Sequence, residues 1–184
     1  MELFIPIIIG TARDGRRTES AARFVLGELD GRRDISTALV DVRDFPLTAM
    51  DNSEESPAAK KYIEIVARAD GFIIVSPEYN HGYPGELKIL LDMAFGQYER
   101  KPVAIAGAGG MMGGGRMTEQ LRQVAIELGM VPIREAVYFF RVGTLFDESG
   151  TIQDASYAQR VAKMLDELVW YATALKRARQ ADPR

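Results

Sequence analysis

Five times along this chain a short run of apolar, largely β-branched residues gives way to a stretch whose apolar positions recur every three or four residues. The first run, Leu3 to Ile9, is continuous and ends at Gly10, the pattern of a strand buried on both faces. Ala22, Val25, Leu26 and Leu29 then follow at helical spacing, and Gly31 closes the segment. Ser36 to Val42 reads as a second strand, followed by a loop containing Pro46 and Asn52. Ser56-Pro57 supplies an N-cap and a proline at the first helical position, opening a helix with Ala59, Tyr62, Ile63 and Val66 on one face. Gly71 to Ser76 is a third strand, and Pro84 opens a helix carrying Leu87, Leu90, Leu91 and Ala94. Pro102 to Ala106 is a fourth strand; Met117, Leu121, Val124, Ala125 and Leu128 form the next amphipathic face, stopped by Gly129. Val131 to Phe140 is the last strand. Phe146 to Ile152 reads as a turn or short hairpin through Asp147 and Gly150, and Val161, Leu165, Leu168, Ala172 and Leu175 mark a final helix before a fraying ADPR tail.

Such alternation predicts an α/β fold: a five-stranded parallel sheet with helices on both faces, spanning residues 1–184 as one domain. Right-handed crossovers leave few topologies, and the strand order 2-1-3-4-5 suits this pattern. At 184 residues, 47% of them apolar, the chain can bury a proper core. The net charge of −3 argues against nucleic acid, which requires a concentrated basic surface. Absence of cysteine excludes disulfides and thiolate chemistry and fits a reducing, cytoplasmic setting. A single histidine, His81, excludes a histidine-rich metal site, so no metal is expected. The segment MELFIPIIIG lacks a basic region and is short for a membrane span, so no membrane association is expected.

In such sheets ligands bind beyond the carboxyl ends of the strands, which directs attention to the loops after the first, third and fourth strands. The first, Gly10 to Ser20, brings Thr11, Arg13, Arg16, Arg17, Thr18, Glu19 and Ser20 to the start of a helix. Hydroxyls, guanidinium groups and helix N-terminal amides together suit a phosphate. The Walker pattern is missing, so a nucleoside triphosphate is disfavoured. Arg16 and Arg17 could each equally point to water. The second loop, Ser76 to Lys88, carries Pro77, Glu78, Tyr79, Asn80, His81 and Tyr83: a flat wall and an amide suited to a heterocycle edge, or a rigid turn whose tyrosines pack on the core. The third, Gly107 to Gly115, offers the bare amides of Gly107, Ala108, Gly109 and Gly110. Met112 stands where a dinucleotide fingerprint demands glycine, so that reading fails. Met111 and Met112 either line a pocket or simply pack.

The run PEYNHGYPGELK resembles the signature of the NADPH-dependent FMN reductase family, through Pro77, Glu78, Tyr79, Asn80, Pro84, Gly85, Leu87 and Lys88. Ile89 and Leu90 replace the Asn-Ala of the usual pattern, and Gly10, Thr11 and Arg13 resemble the family's Gly-Ser/Thr-x-Arg motif. The resemblance implies a flavodoxin-like three-layer sandwich binding FMN, with its phosphate in the first loop and its ring between the second and third. It further implies NADPH or NADH as electron donor, a small-molecule electron acceptor (flavin, quinone, azo compound or metal oxyanion) and a homodimer or homotetramer. Hydride chemistry of this kind needs no catalytic side chain from the protein. The final helix, with Trp170 and Tyr171, offers contact surface, although Trp170 could equally be core. Within the motif Glu78 either touches ligand or fixes the loop's amides. His81 is either a flavin or acceptor partner or a plain surface residue. Two rivals stay open: a flavodoxin-like carrier with no nicotinamide activity, and a flavin-free regulatory domain that has kept the fold.

Overall fold

The computed structural model describes residues 2–46 and 56–182, so Asn52 and the last two residues of the tail lie outside the described part. Strands β1 (Leu3–Phe4) and β2 (Ile7–Ile9) lead into α1 (Thr18–Asp30), followed by β3 (Ile35–Ser36), β4 (Leu39–Asp41) and α2 (Pro57–Arg68). Then come β5 (Phe72–Pro77), α3 (Gly85–Leu91), β6 (Pro102–Ala108), α4 (Gly115–Glu127), β7 (Val131–Phe139), the short α5 (Val142–Leu145) and α6 (Ser156–Ala181). Five strands form one sheet in the order β4-β2-β5-β6-β7, and every pairing is parallel.

Two expected strands are each divided. Leu3 to Ile9 breaks around Pro6, which has no N–H to give to a ladder. Its neighbours Ile5 and Ile7 still donate to the carbonyls of Ser36 and Ala38 at 2.9 Å, so the run stays beside its partner. Ser36 to Val42 breaks at Thr37–Ala38, where the Thr37 hydroxyl donates to the Ile5 carbonyl at 2.8 Å. As a result β1 pairs with β3 as a two-stranded ribbon apart from the main sheet. Counted as continuous runs, the five follow the expected order 2-1-3-4-5.

Every residue of β5 and β6 is buried, which is why their sequences read as unbroken apolar runs rather than alternations. Ile7, Ile9, Ile73, Val75 and Ala106 face one side, with Ala22 and Val25 of α1 and Leu165 and Leu168 of α6. Ile8, Phe72, Ile74 and Ile105 face the other, with Tyr62, Val66, Leu87, Leu91 and Leu121. Each fully buried isoleucine or leucine contributes about 1.5–3 kcal/mol. The helix stops follow local chemistry. Ser56 Oγ accepts from the Ala59 amide at 3.1 Å, and Gly129 ends α4 in the left-handed region at φ +74°. Gly31 closes α1 at φ −78°, a conformation open to any residue. Phe146 and Ile152 form an antiparallel bridge, the expected hairpin. Trp170 is 66% exposed and therefore not core.

At the amino edge of the sheet Asp70 accepts from the Phe4 amide at 3.0 Å and from Lys176 at 2.8 Å and Arg179 at 3.3 Å, tying α6 to the first strand run. Lys101, also buried, donates to the Val66 and Ala67 carbonyls at 2.7 and 3.0 Å and so closes the end of α2. Burial, with repulsion from Arg179, lowers its ammonium to about 8 against a partial opposing effect of Asp70. The native state therefore gives up this proton near pH 8, while the unfolded chain holds it until about 10.4. Between those values the unfolded state binds more protons, so this group makes stability rise with pH. Urea titrations of wild type and Lys101→Met should show the wild type gaining stability relative to the variant from pH 8 to pH 10. A constant difference would contradict the assignment.

Candidate active site

The carboxyl ends of β2, β5, β6 and β7 open on one side of the sheet, and the segments leaving them enclose a cleft of about 530 Å³. Its walls are residues 13–18, 77–79, 108–110 and 141–144. A smaller hollow of about 360 Å³ adjoins it, sharing Glu78 and Gly110 and lined also by Asn80, His81, Met111, Met112 and Arg116.

The first loop divides its arginines between two tasks. Arg16 is almost fully buried: its guanidinium clamps both oxygens of Asp41, donates to the Thr11 carbonyl at 2.5 Å and reaches Glu19 at 3.2 Å. Burial pushes the Asp41 carboxyl up, but Arg16 and the Arg43 amide outweigh it and hold it below the usual range. Arg16 is therefore a strut. Arg13 instead lies over the Tyr79 ring, 5.9 Å from its centroid, and the Arg17 side chain has no hydrogen bond or ion pair among the described residues. Both line the cleft. Arg17 is also the N-cap of α1 and gives no side-chain cap, so the first-turn amides of that helix are left to whatever lies in front of them. Thr11 is buried beneath this wall, its hydroxyl 3.0 Å from the Tyr79 hydroxyl.

The second loop reverses in a tight turn: Tyr79 and Gly82 exchange amide-to-carbonyl bonds of 2.9 and 3.0 Å. Asn80 at φ +48° and His81 at φ +72° occupy its centre, the paired left-handed residues of a type I′ turn. The carboxylate of Glu78 leaves this loop and accepts from the Arg116 amide at 3.1 Å, from Arg116 Nε at 2.6 Å and from the Met117 amide at 3.4 Å. Burial pushes this carboxyl up, but the Arg116 guanidinium and the amides outweigh it and hold it below the usual glutamate range. Arg116 Nη1 lies 2.8 Å from His81 Nε2.

The third loop is folded tightly on its own backbone. A Cβ on Gly107 would come within 2.4 Å of the Gly113 carbonyl, and one on Gly109 within 3.0 Å of the Gly114 nitrogen. Gly113 and Gly114 run at φ +59° and +91°. Met111 and Met112 are 80% and 54% exposed and border the smaller hollow rather than the core.

Of the residues singled out from sequence, Arg13, Arg17, Thr18, Pro77, Glu78, Tyr79, Ala108, Gly109 and Gly110 converge on the main cleft, and Asn80 and His81 on the smaller hollow. Thr11 and Gly107 support the walls from beneath. Glu19 and Ser20 turn away, toward a groove shared with residues 148–152. Sequence reasoning missed Asp14, Gly15, Arg116 and the segment 141–144. Arg141 leaves β7 at φ +47°, and its amide donates to the Gly110 carbonyl at 2.8 Å while Val142 donates to Gly109 at 3.0 Å. Its guanidinium too is without a partner among the described residues.

The comparisons with known proteins agree with one another. A probable NADPH:quinone oxidoreductase 1 of Oryza sativa subsp. japonica is 35% identical over 148 residues, 75% of each chain. A quinone reductase of Pseudomonas putida is 31% identical over 160 residues, covering 82% of this chain and 84% of the other. Among solved structures, the flavoenzyme NAD(P)H:(acceptor) oxidoreductase FerB from Paracoccus denitrificans superposes with a TM-score of 0.78 at 19% identity, over 94% of this chain and 98% of that one, a likeness of fold. The family model for NADPH-dependent FMN reductases matches residues 4–144. With the cleft, its arginines and its glycine-built wall, that match places the chain in the NADPH-dependent FMN reductase family.

Proposed function

We propose that this protein is an NAD(P)H-dependent oxidoreductase that holds FMN in the main cleft and passes electrons to a small quinone-type acceptor. The observation that carries the reading is the pairing of cations that have no ion pair among the described residues with an uncapped helix start: Arg13, Arg17 and the first-turn amides of α1 face the same cleft. A phosphate monoester is an anion with several acceptor oxygens, and such a corner meets both requirements. The rest of the cleft fits a flat ring. Tyr79 and Pro77 form one wall, and the backbone of Ala108, Gly109 and Gly110 forms another without bulky side chains.

Bound there, FMN supplies the hydride relay between nicotinamide and acceptor. The protein's own contribution is positional. The type I′ turn at Tyr79–Gly82 fixes the second loop, and the crowded glycines fix the third. The amides of Tyr79, Gly82, Gly109 and Gly113 are engaged inside this scaffold, so a dipole for negative charge at a ring edge would come from the remaining amides that these bonds hold in place. No side chain is assigned as acid or base: Arg16 is held by Asp41 and Glu19, and Glu78 by Arg116. The exposed thioethers of Met111 and Met112 beside the smaller hollow suit a planar, largely apolar acceptor. The arginines at the first loop favour this reading over a simple electron carrier. The names of the rice and Pseudomonas relatives support the quinone class.

The reading extends to one domain over residues 1–184 acting in the cytoplasm as a homodimer or homotetramer. A cysteine-free chain suits a reducing compartment. The exposed Phe95, Ile126 and Trp170 supply apolar surface for self-association. No helix among the described residues is long and apolar enough to cross a membrane.

Two outcomes follow. In fluorescence-quenching titrations, Arg13→Ala and Arg17→Ala should each weaken FMN about tenfold or more, as loss of a charge-assisted bond costs about 1.5–3 kcal/mol. Riboflavin, which lacks the phosphate, should bind both variants as it binds wild type; equal losses for both flavins would move the phosphate elsewhere. Under nitrogen, NADPH or NADH should promptly bleach the yellow holoprotein, and a quinone should restore the colour. Persistent colour would leave an electron carrier instead.

A further inference from the structure

We propose that Glu78 is a positioning residue rather than a flavin ligand: with Arg116 it forms a brace that sets the spacing between the second and third loops. This rests on the flavin reading above. The β5–β6 ladder that joins the two loops ends at Pro77 and Ala108, so beyond those residues the sheet no longer holds them in register. Glu78 is the next residue. Its side chain is only 8% exposed, and it crosses to α4, where Arg116 Nη2 meets Oε1 at 2.5 Å beside the two amides and Nε.

All of those donors belong to the first turn of α4. The N-cap of that helix is Gly114, at φ +91°, which has no side chain with which to close its own helix start. The capping carboxylate therefore comes from 38 residues earlier in the chain, and a cap becomes a tie between two loops. Arg116 extends the tie. A guanidinium only donates, so in this contact His81 Nε2 is the acceptor of Nη1. One ion pair thus joins the tight turn, the end of the glycine loop and the start of α4.

The arrangement bears on flavin because one wall of the proposed ring slot is the backbone of Ala108, Gly109 and Gly110, and the other is Pro77 with a Tyr79 ring whose hydroxyl is tied to that of Thr11 at 3.0 Å. Such walls cannot adjust by changing rotamer, so their separation depends on what ties the loops together. Displacements of about 1 Å are enough to cost large factors in positioning. The two hollows meet at Glu78 and Gly110, the place where this brace lies.

The test uses Glu78→Ala, Arg116→Ala and the double variant, each checked for native folding by circular dichroism and titrated with FMN and with riboflavin. Glu78→Gln serves as the conservative variant. Each alanine should weaken both flavins by the same factor, about tenfold, because the ring site and not the phosphate site is affected. The double variant should be no weaker than the worse single one, the mark of a shared interaction. Glu78→Gln, whose amide oxygen still accepts from the backbone, should recover part of the loss. In the flavin-free protein, hydrogen exchange at the Arg116 and Met117 amides should be faster in Glu78→Ala than in wild type. Unchanged riboflavin affinity in folded Glu78→Ala, or single losses that multiply in the double variant, would overturn the brace alone. If Glu78→Ala fails to fold, Glu78→Gln and Arg116→Lys decide by the same comparison. A wild-type protein that takes up neither flavin would overturn the flavin reading and this role together.

Discussion

A parallel sheet obliges every strand to end on the same side, and that constraint organises this molecule. Each of β2, β5, β6 and β7 releases its chain at one rim, and each crossover must return across one face or the other before the next strand of the sheet begins. The central strands β5 and β6 are buried on both faces, so only their last residues, Pro77 and Ala108, reach the cleft. Chemistry is displaced to the rim. Four segments far apart in sequence meet there around one cleft.

At that rim the protein relies on backbone more than on side chains. The third loop folds so closely that Gly107 leaves no room for a methyl group beside the Gly113 carbonyl. The second loop is pinned by a two-residue turn. Charge is equally economical. Of the first-loop arginines, Arg16 is locked onto Asp41 and shapes the loop, whereas Arg13 and Arg17 are left facing the cleft. A buried, paired cation gives form; an unpaired one beside a helix start gives affinity for an anion.

Much of the fold was legible because burial on both faces writes itself as uninterrupted apolar runs, as in GFIIVS. The N-cap at Ser56 and the stop at Gly129 were legible for the same kind of reason, a local geometry that favours few residues. The split at Pro6 was less so, since a missing N–H interrupts pairing without changing hydrophobicity. At the site, the three loops were found, but not the division of labour within them. Nothing local in the sequence says that Arg16 pairs with Asp41, 25 positions on, while Arg17 does not. Thr18, Glu19 and Ser20 are neighbours in sequence, yet a helix turns about 100° per residue, and only Thr18 keeps the cleft. Arg141 escaped notice because it takes a left-handed conformation without being glycine, in a short link between a strand and a hairpin.

Whether this rim grips a phosphorylated flavin is settled most directly by a crystal structure grown with excess FMN. The account predicts the phosphate against Arg13, Arg17 and the first turn of α1, with the ring between Tyr79 and the Gly109–Gly110 backbone. Density for the cofactor elsewhere on the surface, or a cleft that stays empty at saturating FMN, would contradict it.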